Sequence, residues 1–157
     1  MPKNTATAPL APMLPDDVML AFNFIRAIQA GDVDAAEDFA AGDYPSLAAL
    51  LVDVAERIVT PVTALPDQGA GEPCADTFTL EALGRVFIRT LRTWEQSCPS
   101  TATGIAEAII GFTKEILTED HEDVAVVLEQ LQTVGVGQAL DAHPAPTGAH
   151  PVRLTVV

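Results

Sequence analysis

The densest group of chemically active side chains in this sequence is the stretch from Glu119 to Asp123, where four carboxylates and one imidazole occupy five positions. Both types of group bind metal ions, so the stretch raises the question of a metal site. Metal ligands on a helix converge when they share one face, and the acidic i, i+4 pair, Glu119 and Asp123, has no histidine beside it. Negative charge is also favoured in the first turn of a helix, with Thr118 as the N-cap. We therefore interpret the stretch as a helix start, ahead of a partner contact or a metal site.

A second pattern is a ridge of cations. Three of the six arginines, Arg85, Arg89 and Arg92, recur at i, i+4 and i+7 on one predicted helix. One interpretation is a solvated face that pairs with Glu81 and with carboxylates of neighbouring helices. The other is a docking surface for an acidic partner, for a second copy of the chain or for an anion. The three arginines are therefore candidate partner-binding residues.

The C-terminal segment changes composition at residue 139, where a proline-rich linker leads to the sequence VRLTVV. This run has the β-branched density of a strand but follows a helical body that offers no sheet. Three outcomes stay open: it packs back as an extended arm, it has no fixed structure, or it adds to a sheet edge or groove of another chain. The last makes Val152, Leu154 and Val156 candidate partner-binding residues.

Catalytic groupings are not recognisable in the sequence. No serine lies in a GxSxG context, and Gly135-Val136-Gly137 follows a predicted helix rather than a strand, so it is not a dinucleotide fingerprint. Cys74 and Cys98 do not form a CxxC pair; we expect two thiols, with one disulfide as the alternative. His143 and His150 are expected to face solvent. The sequence therefore predicts a protein that is not an enzyme and needs no cofactor or metal.

Acidity limits the range of partners. Eight Lys and Arg residues stand against 22 Asp and Glu residues, giving a net charge of −14, which disfavours direct contact with nucleic acid or an anionic membrane. With 157 residues, 48% of them hydrophobic, the chain is long enough for one ordinary core. Its apolar runs are too short to span a membrane, and the early segment TAPLAPMLPDD lacks the apolar core of a secretory signal. A cytoplasmic protein is expected.

Hydrophobic periodicity predicts an all-α fold, with one compact bundle of five or six helices at 16–138 and extended arms at 1–15 and 139–157. Residues 61–76, with three prolines and two glycines, are expected to form a long loop. The predicted helices are 16–30, 33–41, 47–60, a helix from Thr77 or Thr79 to the residue before Pro99, a helix from Ser100 or Thr103 to about 116, and 119–134.

The apolar faces of three predicted helices, the first, fourth and sixth, indicate how the bundle packs. The first helix is apolar around most of its circumference, so it is either the central helix of the bundle or a homodimer interface over 18–28. The face predicted to be buried on the fourth helix is Leu80, Leu83, Phe87, Leu91 and Trp94. The face predicted to be buried on the sixth is Val124, Val127, Leu128, Leu131 and Val134.

These observations predict a non-enzymatic protein–protein interaction or adaptor protein, self-associating through 18–28, with a C-terminal tail available to dock a partner. A first alternative is that the acidic body imitates a polyanion and inhibits a nucleic-acid-binding protein. A second is that the bundle interior binds a small apolar ligand near Trp94.

Overall fold

The computed structural model describes residues 13–42, 47–64, 75–98, 101–119 and 123–144. Within these ranges the chain forms six α-helices and no strand, which confirms the predicted all-α bundle. The α-helices are α1 (Pro15–Ala30), α2 (Val33–Ala41), α3 (Leu47–Val54), α4 (Ala75–Ser97), α5 (Ala102–Phe112) and α6 (Val124–Ala142). A π-helical turn, Ala55–Val59, and a 3₁₀ turn, Thr60–Ala64, continue α3, and a second π-helical turn, Thr113–Leu117, continues α5.

Local sequence fixes both ends of α1. Pro15 occupies the first turn, where a backbone N–H is not needed, and the carboxylates of Asp16 and Asp17 lie at the positive end of the helix. Gly31 ends the helix in the left-handed conformation, with φ of 72°, which glycine adopts without a Cβ penalty. Asp32 then caps α2: its Oδ1 accepts a hydrogen bond of 3.1 Å from the backbone N–H of Ala35. Both helices end as the sequence predicts.

The central element of the bundle is α1, which packs against α2, α3, α5 and α6. Seven of its residues are buried: Val18, Leu20, Ala21, Phe22, Phe24, Ile25 and Ala27. Its narrow polar sector meets α6, where Gln132 accepts a hydrogen bond from Arg26 and donates one to Asn23. The apolar surface at 18–28 is therefore covered within the chain, which is the first of the two predicted alternatives.

The largest fully buried side chains come from five of the helices, α1, α3, α4, α5 and α6, and from the π-helical turn after α3. They are Phe22, Phe24, Ile25, Leu51, Leu91, Ile105, Ile109, Leu128, Val18, Val52, Val54 and Val59. Each such side chain stabilises the fold by roughly 1.5–3 kcal/mol relative to its exposed state. In the described part of the chain no helix combines the length and the apolarity that crossing a membrane would require.

The chain does not leave its helical path at Thr60-Pro61, where the sequence predicted a stop. Thr60 and Pro61 instead begin the 3₁₀ turn, and a proline is tolerated there because the first residues of a helix do not use their N–H groups. The predicted loop 61–76 is correspondingly shorter at both ends, since the 3₁₀ turn reaches Ala64 and α4 starts at Ala75.

The sixth helix is displaced from its predicted position. Thr118 does not cap it: its hydroxyl donates to the carbonyl of Lys114, and its backbone is extended at the end of the preceding π-helical turn. The helix starts at Val124 and runs to Ala142, through the two glycines that were expected to end it. Gly135 is buried, and a Cβ there would lie 2.4 Å from Cδ1 of Ile58. This glycine allows a close approach between helices and does not terminate one.

Candidate functional site: the exposed face of α4

The helix that carries the arginine ridge lies at the edge of the bundle. It packs on α3 and the 3₁₀ turn through Gly84, Ile88 and Leu91, all of which are buried. The half-buried ring of Phe87 stacks on Phe112 of α5, with 4.5 Å between ring centroids and 13° between planes. The face of α4 that packs on the bundle is therefore rotated about the helix axis relative to the face predicted from the sequence.

Two side chains of the predicted inward face are exposed rather than buried. Leu83 is 42% exposed and Trp94 is 40% exposed, so their assignment to the core was wrong. The residue that takes up core space instead is Ile88, which the sequence pattern left out. The error arises because Leu80, Leu83 and Trp94 lie on one edge of an apolar arc that is wider than the surface the bundle can cover.

Arg92 joins α4 to α3. One of its terminal nitrogens donates to Oδ1 of Asp53 at 2.6 Å and to Oε2 of Glu56 at 2.7 Å. Partial burial lowers the pKa of Arg92, but the hydrogen bonds and charges of the two carboxylates outweigh it and raise the pKa above its ordinary value. The guanidinium therefore stays charged and holds two helices together.

The other two arginines face solvent. Arg85 donates to Glu81, one turn earlier on the same helix, at 2.8 Å. Arg89 is exposed and forms no ion pair with the residues the structure describes. The interpretation as a solvated face tied to Glu81 and to neighbouring carboxylates is thus confirmed for Arg85 and Arg92, and Arg89 is left as a cation open to a partner.

Between α4 and the 3₁₀ turn lies a groove of about 390 Å³, lined by Glu56, Thr60, Pro61, Glu81, Gly84, Arg85, Ile88 and Arg89. Its lining includes the buried Ile88, the exposed Pro61 and charged side chains of both signs, those of Glu56, Glu81, Arg85 and Arg89. Such a groove suits a peptide or helix that has apolar and polar groups, and it borders the exposed face of α4.

The solvent-facing side of α4 has an unusual composition for so acidic a chain. The exposed residues between 78 and 98 are Phe78, Thr79, Leu83, Arg85, Val86, Arg89, Thr90, Thr93, Trp94, Gln96, Ser97 and Cys98. None of the twelve is acidic, and we call them the carboxylate-free surface. Glu81 and Glu95 lie beside it on the same helix and are half-buried, and the side chain of Glu81 remains 45% exposed in its ion pair with Arg85. Every other described α-helix that exposes side chains exposes at least one carboxylate: Asp16 on α1, Asp34 on α2, Glu107 on α5 and Glu129 on α6.

Hydroxyl groups on this surface are already satisfied. The side chains of Thr90, Thr93 and Ser97 each donate to the carbonyl one turn earlier, at 2.9, 2.9 and 2.7 Å. A polar group whose donor is used inside its own helix can be covered by another surface without losing a hydrogen bond. Desolvating this face is therefore less costly than its threonine content suggests.

The single tryptophan sits at the edge of the same surface. A Cβ at Gly104, near the start of α5, would lie 2.5 Å from Cη2 and 2.7 Å from Cζ2 of Trp94. The ring tip thus rests directly on the α5 backbone while the rest of the side chain reaches solvent. Gly104 is required for this contact, and the indole is held in place at the margin of the carboxylate-free surface.

Two further clefts lie elsewhere. One, of about 230 Å³, is lined by residues of α1, α6 and the first π-helical turn, Ile58 and Gly135 among them. The other, of about 320 Å³, follows the turn between α1 and α2. Neither these clefts nor the α4 groove is lined by Trp94.

Several sequence-derived candidates are not brought into this site. Val152, Leu154 and Val156 lie outside the described residues, as do His150, Cys74 and the middle of the acidic stretch, 120–122. Asp123 is exposed at the start of α6 and its side chain forms no cap hydrogen bond. In the part of the chain that the structure describes, no group of three or more His, Cys, Asp or Glu side chains is placed to hold a metal ion.

Comparisons with protein-family models, with curated proteins and with solved structures find no match to this chain.

Proposed function

We propose that this chain is a non-enzymatic interaction protein that binds another protein chain through the carboxylate-free surface of α4. The observation that carries the proposal is the absence of carboxylates from the twelve exposed residues at 78–98 in a chain of net charge −14. Protein interfaces are depleted of charged residues at their centre, with Trp, Phe and Arg enriched. Phe78, Trp94 and Arg89 supply these residue types on one helix.

Electrostatics support the same surface. Acidic proteins repel one another at long range, and an interface is favourable where the local potential differs from the overall one. Within α4 three carboxylates, Asp76, Glu81 and Glu95, balance the three arginines, so this helix is neutral. Among the described α-helices it is the one that an acidic or neutral protein approaches most easily, because each of the others has a net negative charge. The proposal includes a cytoplasmic location.

The test compares two matched variants in a tagged pull-down read by mass spectrometry. Val86→Glu places a carboxylate in the middle of the carboxylate-free surface, and Val126→Glu makes the same change on α6; the two valines are 57% and 52% exposed. We expect proteins retained by the unaltered chain to be lost with Val86→Glu and kept with Val126→Glu. Equal retention by both variants would contradict the proposal.

Polyanion mimicry is the second candidate, and one observation favours it. Asp32, Asp34, Glu37 and Asp38 are all exposed around the start and outer face of α2. Replacing the last three by their amides would remove three negative charges from one short helix. Loss of a retained nucleic-acid-binding protein in this variant, with Val86→Glu unaffected, would favour mimicry over the α4 surface.

A further inference from the structure

The exposed residues of α4 repeat with the spacing of a coiled-coil seam. Thr79, Leu83, Val86, Thr90, Thr93 and Ser97 are separated by alternating steps of four and three residues, and all six are exposed and uncharged. Apolar or small residues at every third and fourth position form the strip along which two helices pair. The seam extends over almost three heptads and faces away from the rest of the bundle.

Residues on either side of this seam also follow the heptad. One flank holds Leu80, Phe87 and Trp94, and the other holds Ala82, Arg89 and Gln96. The remaining heptad positions include Gly84, Ile88 and Leu91, which are buried against the bundle. One side of α4 thus belongs to the fold of its own chain, and the other has the arrangement by which a helix contacts a second helix.

Charge favours a second copy of this chain as the partner that packs on the seam of α4. Two chains of net charge −14 repel each other wherever carboxylates face carboxylates, and none of the six seam residues from Thr79 to Ser97 is acidic. The preceding position of the same heptad is Asp76, so the only like-charged pair along this strip is at the N-terminal end of α4. The seam is self-matching, because pairing two identical helices in register places each residue opposite its own copy. Since this exposed strip belongs to the surface proposed above for interaction, the inference rests on that proposed function.

The residues on the two flanks of the seam indicate whether two α4 helices pair in parallel or antiparallel orientation. In a parallel pair, the flank that carries Arg89 lies beside the other flank of the partner helix, and heptad spacing places Arg89 against the copy of Trp94 five residues further on. An arginine over a tryptophan face is a favourable cation–π contact. In an antiparallel pair the like flanks meet, so Arg89 would face the copy of Arg89 rather than that of Trp94. We therefore propose that this chain forms a twofold dimer through parallel pairing of α4 with α4 of a second copy.

Interface size indicates how tight this dimer is. A helix of 23 residues is roughly 35 Å long and a seam is roughly 10 Å wide, which is a smaller contact than the roughly 800 Å² per partner of standard complexes. Only Leu83 and Val86 among the seam residues are large and apolar. We expect a dimer that dissociates at micromolar concentration, so concentration is the variable to change.

The first experiment is analytical ultracentrifugation of the full chain from low micromolar to several hundred micromolar concentration. The unaltered chain and the Val126→Glu control should shift from monomer to dimer with rising concentration, and Val86→Glu should stay monomeric at every concentration. Circular dichroism of the three chains checks that the fold is kept. A monomeric unaltered chain, or a Val86→Glu chain that dimerises normally, would overturn the inference.

Orientation is tested with a disulfide. With Cys74 and Cys98 replaced by serine, Ser97→Cys places one thiol in the seam at the C-terminal end of α4. Parallel pairing predicts a covalent dimer on mild oxidation, because the two thiols face each other, and Val126→Cys serves as the exposed control that should not cross-link. No cross-link at Ser97→Cys in a chain that dimerises would refute the parallel arrangement.

The two proposals fail separately. If the chain is monomeric but still loses retained proteins on Val86→Glu in the pull-down, the α4 surface binds a different partner. In that case the proposed function stands and the dimer does not.

Discussion

Gly135 provides the sharpest test of how the bundle is packed. Replacing it by alanine would place a Cβ 2.4 Å from Cδ1 of Ile58 and 3.1 Å from Cγ1 of Val18. All three residues are buried, so the new methyl group must displace the side chains of Ile58 and Val18, which also line the cleft of about 230 Å³. Inserting a methyl group into such a site destabilises a protein by roughly 1–3 kcal/mol.

The opposing effect is helix propensity. Alanine stabilises a helix interior by roughly 0.5–1 kcal/mol relative to glycine. Gly137, two residues further along the same helix, separates the two effects because a Cβ there meets no atom within 4 Å. We therefore expect Gly137→Ala to stabilise the chain by roughly 0.5–1 kcal/mol and Gly135→Ala to destabilise it by about 1 kcal/mol.

Urea unfolding followed by circular dichroism at low micromolar concentration measures both free energies. Ile58→Val, which removes the Cδ1 atom nearest the new methyl group, should restore part of the loss in the Gly135→Ala chain, giving a coupling of about 1 kcal/mol. If Gly135→Ala is as stable as Gly137→Ala, the close approach of α6 to Ile58 is not a packing constraint and the reasoning is refuted.

Three further changes test single contacts. Gly104→Ala should push the ring of Trp94 into solvent and shift its fluorescence emission to longer wavelength; unchanged emission would show that the ring does not rest on the α5 backbone. Arg92→Ala should lower the free energy of unfolding by about 1–2 kcal/mol, since it removes two charge-assisted hydrogen bonds that are partly exposed, whereas Arg89→Ala should change it by less than about 0.5 kcal/mol. Equal losses would mean that the ion pairs of α4 with α3 do not stabilise the fold. Asp32→Ala removes an N-cap and should lower the same free energy by about 1 kcal/mol; Asp32→Asn should restore most of it, and a loss with asparagine equal to that with alanine would exclude capping as the cause.

Helix ends were predictable where the terminating signal is local. Gly31 and Asp32 stand at a left-handed turn and an N-cap, and both roles follow from residue type alone. Gly135 was misread as a terminator because the same residue type also permits two helices to approach closely, and that role depends on Ile58, which is 77 positions away in the sequence. Pro61 was misread in the same way, since a proline can begin a 3₁₀ turn as well as end a helix.

The candidate site was partly predictable. The spacing of Arg85, Arg89 and Arg92 indicated one ridge, but their separate environments depend on Asp53 and Glu56, carboxylates of another segment. The carboxylate-free surface was missed because Leu83 and Trp94 were assigned to the core, which left the outer side of the helix without apolar residues. A heptad count along α4 would have shown an uncharged strip, from Thr79 to Ser97, beside the apolar strip that the bundle covers.

The zero net charge of α4 means that the charge of the molecule is unevenly divided along the chain. Since this helix contributes nothing to the net charge of −14, all of that charge lies on the rest of the chain. A positively charged surface or chromatographic matrix therefore attracts the rest of the chain more strongly than it attracts α4. Adsorbed on such a support, the molecules would form an oriented layer that presents the same helix to whatever flows past.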